Sequence, residues 1–249
     1  MLLKITTCCK MQCSHCLSSC VSDGINMTWA NIISSISFIN RMNCKSLLIT
    51  GGEPTEHPDF MNVVKFICQN TLNVIQIVIA SNGIYFENNP SILKEIIEFD
   101  NRIAIQITND ARYYPKRTNI RNEIYGLEQV MFCDTVEYMY PQGRALVNKY
   151  SYESKCSKCF NFISITKQIQ TKSIAGTINK LESNFKFCTP QIDADGSLKP
   201  GESSLCKSFG SVHDSDSDLI SNILQFRCQQ CDFINEKLPV NYQRLINIK

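Results

Sequence analysis

Fourteen of the 249 residues are cysteine. Thiols that stay reduced and recur at short spacing read as ligands for metal or iron–sulfur centres rather than as disulfides. They form three short-spaced groups: Cys8/Cys9/Cys13/Cys16/Cys20, Cys156/Cys159 and Cys228/Cys231, with Cys188 and Cys206 between the last two. Cys44, Cys68 and Cys133 sit in apolar stretches and read as core residues. The first group contains Cys9-Lys-Met-Gln-Cys13-Ser-His-Cys16, a CxxxCxxC loop. Such a loop can wrap three thiolates around one face of a four-iron cubane, with backbone N–H groups aimed at the sulfides and one iron left open. A zinc ion with His15 or Cys20 as fourth ligand is the other reading of the same donors. A second chemical run is Thr50-Gly51-Gly52-Glu53-Pro54-Thr55. Its glycines let a ligand approach the backbone closely, and Glu53 can accept hydrogen bonds from an ammonium.

Both runs follow apolar segments that read as strands. Strands are expected at Leu2–Thr6, Leu47–Thr50, Val74–Ala80, Ile103–Thr108 and Thr135–Met139. Helices are expected between them. Thr28 caps one that turns Trp29, Ile32, Ile33, Ile36 and Ile39 inward. Pro58 opens a second, with Phe60, Val63, Val64 and Ile67 on one face. Asn89–Pro90 starts a third that buries Leu93, Ile96 and Ile97, and a fourth spans Glu123–Phe132. This βαβα alternation, repeating every roughly 30 residues, predicts an α/β fold, either an open parallel sheet or a partial barrel of about five or six units. Site groups should then gather on loops after the C-terminal ends of the strands.

The alternation fades near residue 150, which divides an expected core (1–150) from an expected appendix (151–249). In the appendix, Ile192 and Leu198 flank an Asp-Gly turn, a hairpin pattern, and DSDLISNILQF follows as a helix capped by Asp or Ser. Hydrophobic residues make up 43%, enough for a sizeable core, and the net charge of +2 calls for neither nucleic acid nor membrane as a partner. No segment reads as an export signal or a membrane span, so a cytoplasmic location is expected. His57 and His213, each alone in a loop, read as solvated.

CxxxCxxC after the first strand and Gly-Gly-Glu-Pro after the second together resemble the radical S-adenosylmethionine (SAM) superfamily. The resemblance implies that Cys9, Cys13 and Cys16 hold a [4Fe–4S] cluster whose open iron chelates SAM. It implies that Gly51, Gly52 and Glu53, in the run closed by Pro54, receive the SAM amino group. Ser81-Asn82-Gly83 stands where the family often has Thr-Asn-Gly, which places Ser81 and Asn82 near SAM. Thr108-Asn109-Asp110 corresponds to a Ser-x-Asp position, with Thr108 and Asp110 near the ribose and substrate. Pro141-Gln142-Gly143-Arg144-Ala145 resembles a turn after the fifth strand from which Arg144 meets the SAM carboxylate. His15 replaces an aromatic ring that packs near the adenine. Cys8 and Cys20 are extra to the pattern, and the CxxxCxxC register favours Cys9 over Cys8.

Cys188, Cys206, Cys228 and Cys231 resemble the ligand set of a twitch domain, a cut-down SPASM domain, around the hairpin Ile192–Leu198. That implies an auxiliary [4Fe–4S] cluster, with zinc as the alternative at the same thiolates. Cys156 and Cys159 have no assigned ligand role; with Cys133 they are candidate hydrogen-atom donors. The expected fold is therefore a partial (β/α) barrel of about five or six units with a small hairpin-and-helix Fe–S domain. The implied activity is reductive cleavage of SAM to a 5′-deoxyadenosyl radical, which takes a hydrogen atom from carbon. Its first-ranked use is crosslinking or epimerising a ribosomally made peptide; no leader-binding domain is expected ahead of the first strand. Dehydrogenation of a small aminocyclitol or sugar alcohol is the alternative. A non-catalytic zinc or Fe–S binding protein is the reading from another class. A flavodoxin or ferredoxin would supply electrons.

Overall fold

A computed structural model of the chain describes residues 1–116, 118–119, 127–133, 143–149, 172–185, 190–200 and 207–225. Among the described residues, eight strands form one sheet in the order β5-β4-β3-β2-β1-β6-β7-β8. β1 (Leu2–Lys4), β2 (Ser46–Thr50), β3 (Gln76–Ser81), β4 (Ile103–Thr108) and β5 (Val130–Cys133) are parallel, as is β6 (Gln191–Ile192), which pairs with β1. β7 (Ser197–Lys199) and β8 (Gly210–Ser211) continue the sheet antiparallel. This is the α/β fold with a parallel sheet that the alternation predicts, consistent with the partial barrel that the family resemblance implies, because parallel neighbours need a crossover long enough to hold a helix.

The helices α1 (Trp29–Arg41), α2 (Phe60–Asn70), α3 (Ile84–Asn88) and α4 (Pro90–Phe99) supply those crossovers. Thr28 caps α1 by accepting a hydrogen bond from the Asn31 amide. Leu47 and Ile49 of β2, Ile77 and Ile79 of β3, and Ile103, Ile105 and Ile107 of β4 are buried in one core with Ile36 and Ile39 of α1, Val63 and Ile67 of α2, and Leu93 and Ile96 of α4. The opposite residues of the same strands face the concave side.

Two expectations about elements change. Trp29 and Ile33 are 38% and 54% exposed, and Ser35 and Phe38 take the inward places. Trp29 instead bridges α1 to α2, donating its indole N–H to Asp59 and meeting the Phe66 ring edge-on. The helix expected to end at Phe132 gives way to β5, since Val130–Cys133 pairs with Ile105–Thr108. An unfilled sheet edge overrides a weak local helical period. Thr135–Met139 lies outside the described residues.

The hairpin forms as expected. Gly196 sits at φ +84° in the turn from Asp193 to Ser197, where a side chain would be strained. The hairpin extends the core sheet, and Lys4 of β1 pairs with Asp193 at 3.1 Å. α7 (Asp216–Gln225) follows, with Ser215 accepting from the Asp218 amide. The described residues also hold α5 (Gly143–Val147) and α6 (Ile174–Phe185). Among the described residues, no helix is long and apolar enough to cross a membrane.

Candidate active site

The loop after β1 returns along its own start. The amides of Thr7 and Cys9 donate to the carbonyls of Ile25 and Val21, and that of Met27 to Ile5. β2 then delivers its glycines against this loop. The Gly52 amide donates to Thr6 and the Glu53 amide to Cys8, both at 2.8 Å. A Cβ on Gly51 would lie 2.5 Å from the Thr6 carbonyl oxygen, and one on Gly52 would lie 2.2 Å from that of Cys8. The two glycines thus serve first to let the chain's own backbone close around the cysteines.

The result is a pocket of about 320 Å³ lined by Cys9, Cys13, His15, Cys16, Gly51, Gly52, Glu53, Ser81, Asn82, Thr108 and Arg144. These are most of the site residues the sequence singles out, brought from four strand ends and α5. Cys8 does not line it. Its thiol turns away to the Gly24 carbonyl at 3.1 Å, so of the two neighbours it is Cys9 that lines the pocket. Burial pushes the Cys9 thiol up; burial and the neighbouring Cys9 and Cys16 push Cys13 up to about 12. The Cys16 thiol is instead held low, chiefly by hydrogen bonding at Cys20, so Cys9 and Cys13 are the two that resist ionising unless positive charge is supplied.

Glu53 is buried, and its carboxylate accepts from the Thr55 and Ser81 hydroxyls at 2.7 and 2.8 Å and from the Asn82 amide at 2.8 Å. Burial nevertheless holds its pKa above the ordinary carboxylate value; those hydrogen bonds offset the effect only in part. Ser81 and Asn82 therefore shape the pocket partly by fixing Glu53. His15 lies between the rings of Tyr113 and Tyr114, at 5.0 and 5.1 Å. Its Nδ1 is buried without a hydrogen-bond partner, and burial holds the imidazole below its ordinary pKa.

Arg144 grips the cysteine loop. Its Nε donates to the Cys13 carbonyl at 2.9 Å, its Nη1 to that of Cys20 at 2.7 Å and its amide to that of Cys16 at 2.9 Å. Its Nη2 is buried with no partner. Gly143, at φ +57°, permits this docking, since a Cβ there would meet the Leu17 carbonyl oxygen at 2.4 Å.

Other expectations are redirected. Asp110 is buried but does not line the pocket; Arg112, two residues on, takes both carboxylate oxygens, at 3.0 and 2.7 Å. Cys133 is half-buried at the end of β5 beside Thr108, outside the pocket lining. Pro54 is buried and starts a short 3-10 turn without lining the pocket. Of the cysteines read as core, Cys68 is buried and Cys44 half-buried. His57 is buried, not solvated: its Nε2 donates to the Met27 carbonyl and its Nδ1 accepts from the Asp59 amide. His213 is exposed and bridges to Ser34 and Asn31 of α1. Sequence reasoning missed Tyr114, Thr50 and Ala80 as lining residues. Thr50 and Ala80 were findable, since they share the strand parity of Thr108. Pro141, Gln142, Cys156, Cys159, Cys188, Cys206, Cys228 and Cys231 lie outside the described residues.

A sequence profile of the radical SAM superfamily matches residues 3–131, the segment that builds β1 to β4 and the cysteine loop. The chain belongs to the radical SAM superfamily. It is 30% identical over 122 residues to a GTP 3′,8-cyclase of Pasteurella multocida (strain Pm70), a match that spans 47% of this chain and 36% of that protein. Its fold is similar to the crystal structure of BtrN in complex with AdoMet and 2-DOIA, with TM-score 0.57 at 14% identity over 94% of this chain and 84% of that one. An open conformation of BtrN gives TM-score 0.52 at 13% identity, over 94% and 82%.

Radical SAM proteins carry a four-iron cluster and SAM, and the pocket fits that pair. Among the described residues, no three His, Cys, Asp or Glu side chains are grouped to hold a single metal ion. A cubane asks for a wider spread, because each thiolate meets its own iron. Cys9, Cys13 and Cys16 would hold three irons. The carboxylate of Glu53, whose pKa is raised by burial, suits an ammonium.

Proposed function

We propose that this radical SAM enzyme abstracts a hydrogen atom from carbon to modify a ribosomally made peptide by crosslinking or epimerisation. The observation that carries the hydrogen-abstraction step is the convergence of three cysteines with Glu53, Ser81 and Asn82 in one pocket. With cluster and SAM bound there, reductive cleavage of SAM supplies a 5′-deoxyadenosyl radical. The chain's own residues do the rest. Glu53 orients a cationic ligand, fixed in turn by Thr55, Ser81 and the Asn82 amide. Arg144 holds the cysteine loop in shape. His15 and Tyr114, their rings tilted by 50° to each other, give the pocket an aromatic side.

The peptide reading rests on how commonly small radical SAM enzymes with SPASM or twitch domains modify peptides; the twitch-like set Cys188, Cys206, Cys228 and Cys231, as ligands of an auxiliary cluster, belongs to both readings. A small-molecule dehydrogenase is the second reading, supported by fold similarity over 94% of this chain to BtrN, crystallised with 2-DOIA. In that case the alcohol carbon loses a hydrogen atom, the hydroxyl loses a proton, and the remaining electron passes to the auxiliary cluster. A flavodoxin or ferredoxin is the proposed reductant.

The test is anaerobic incubation with SAM and dithionite, comparing wild type with a triple Cys9/Cys13/Cys16→Ala variant. Wild type should release 5′-deoxyadenosine and the variant none; equal release would overturn the assignment. Mass spectrometry of product formed in D₂O separates the uses. One deuterium gained marks epimerisation, and Cys133→Ala, Cys156→Ala or Cys159→Ala should then abolish product while sparing 5′-deoxyadenosine. A peptide two hydrogens lighter marks a crosslink. An oxidised small alcohol with no deuterium on carbon supports the second reading instead.

A further inference from the structure

Asp110 does not line the pocket, but the turn built on it brings Tyr114 there. The Asp110 carboxylate accepts from the Arg112 amide at 2.9 Å, and its carbonyl accepts from the amides of Tyr113 and Tyr114 at 3.2 and 3.0 Å. Tyr114 thereby joins Cys9, Cys13, Cys16 and Glu53 in the pocket lining. Its ring rests against His15, with centroids 5.1 Å apart. Among the described residues, no hydrogen bond engages the Tyr114 hydroxyl. A phenol is protonated at neutral pH, and here burial, followed by the charges of Cys13, Glu53, Cys9 and Cys16, raises its pKa further. The hydroxyl is therefore an unused donor, near the thiols and the Glu53 carboxylate at once.

SAM carries an ammonium and a carboxylate on one carbon. An ammonium received by Glu53 brings that carboxylate into a corner already holding Glu53 and the cysteine sulfurs, where it needs a donor. Arg144, which the family resemblance assigns to the carboxylate, spends Nε and Nη1 on the Cys13 and Cys20 carbonyls, and its Nη2 is enclosed. We propose that the Tyr114 hydroxyl binds the carboxylate of SAM. A hydroxyl donating to a carboxylate makes a charge-assisted contact, about twice as strong as a neutral one. The ring packs on His15 and the Asp110 turn fixes the backbone, so the donor is in place before SAM arrives. The inference rests on the reading of Cys9, Cys13 and Cys16 as the cluster ligands and of Glu53 as the ammonium site.

The experiment is anaerobic equilibrium dialysis of the reconstituted holoprotein, wild type and Tyr114→Phe, against SAM and against decarboxylated SAM. The second ligand keeps the ammonium and the nucleoside and lacks only the carboxylate. Tyr114→Phe keeps the ring and removes a hydroxyl that no described residue uses, so its cluster loading should match wild type. Its SAM affinity should fall about tenfold or more, while decarboxylated SAM binds within about twofold of wild type. An unchanged SAM affinity overturns the proposal. So does an equal loss for both ligands, which would put the contact elsewhere on SAM. A Tyr114→Phe protein that loads no cluster overturns it as well, because the hydroxyl would then serve the fold. If wild type binds no SAM and shows no EPR signal that responds to it, the cluster reading itself fails, a result distinct from all of these.

Discussion

β2, β3 and β4 present two unlike faces. Toward the helices they offer Leu47, Ile49, Ile77, Ile79, Ile103, Ile105 and Ile107, all buried in one apolar core. Toward the concave side the same strands offer Thr50, Ala80 and Thr108, which line the pocket with residues from the loops beyond. The apolar face is held by area and volume, so many side chains of similar size would serve. The pocket face is held by individual atoms: a carbonyl that leaves no room for a Cβ, a carboxylate with named donors, thiols aimed at one space. Damage to the first should cost stability and spare the chemistry, and damage to the second should do the reverse.

The largest contrast is expected within the cysteine loop. Cys13→Ala should abolish reconstituted SAM-responsive iron and 5′-deoxyadenosine release, while Cys8→Ala, one residue from Cys9 but turned to Gly24, should keep both. Iron content and EPR read this directly, and a cluster lost in Cys8→Ala would contradict the assignment of Cys9. Gly52→Ala comes next. Its methyl would lie 2.2 Å from the Cys8 carbonyl oxygen, so the loop must shift. Cluster loading should fall sharply, and the melting transition should drop by the equivalent of about 1–3 kcal/mol.

On the other face, Ile79→Ala should destabilise by about 2–5 kcal/mol in urea unfolding, with iron loading in the folded fraction unchanged. Glu53→Gln sharpens the contrast through pH. The folded carboxyl has its pKa raised by burial, so the folded state binds the proton more tightly than the unfolded chain does. The apoprotein should therefore lose stability as pH rises from the ordinary carboxylate value through the raised one. Glu53→Gln should flatten that slope while weakening SAM binding by about tenfold or more, the loss of a charge-assisted contact. An unchanged slope would show that Glu53 is not held as described. Smallest is Thr28→Ala at the start of α1, about 1 kcal/mol in thermal unfolding with no change at the pocket.

Where a local pattern is strong, sequence reading reached the structure. β4 was expected at its observed bounds, and α2 and α4 bury the residues that their period put inward. Where an element depends on a distant partner, it failed. β5 forms because β4 offers an edge, and His57 is buried because Met27 offers a carbonyl. Neither of these partners alters the local period or the spacing on which the expectation was built.

By itself the sequence determined the α/β alternation, the three thiols and the glycine–glutamate run at two strand ends, because strand period, helix period and ligand spacing are short-range properties of the chain. Only the tertiary structure decided that Cys9 rather than Cys8 faces the pocket, that the glycines make room for Thr6 and Cys8, and that Arg144 closes on the loop 124 residues before it at Cys20. Those choices turn on which backbone atoms approach within a few ångströms. Such contacts are set by how strands and loops pack, and no window of neighbouring residues contains them.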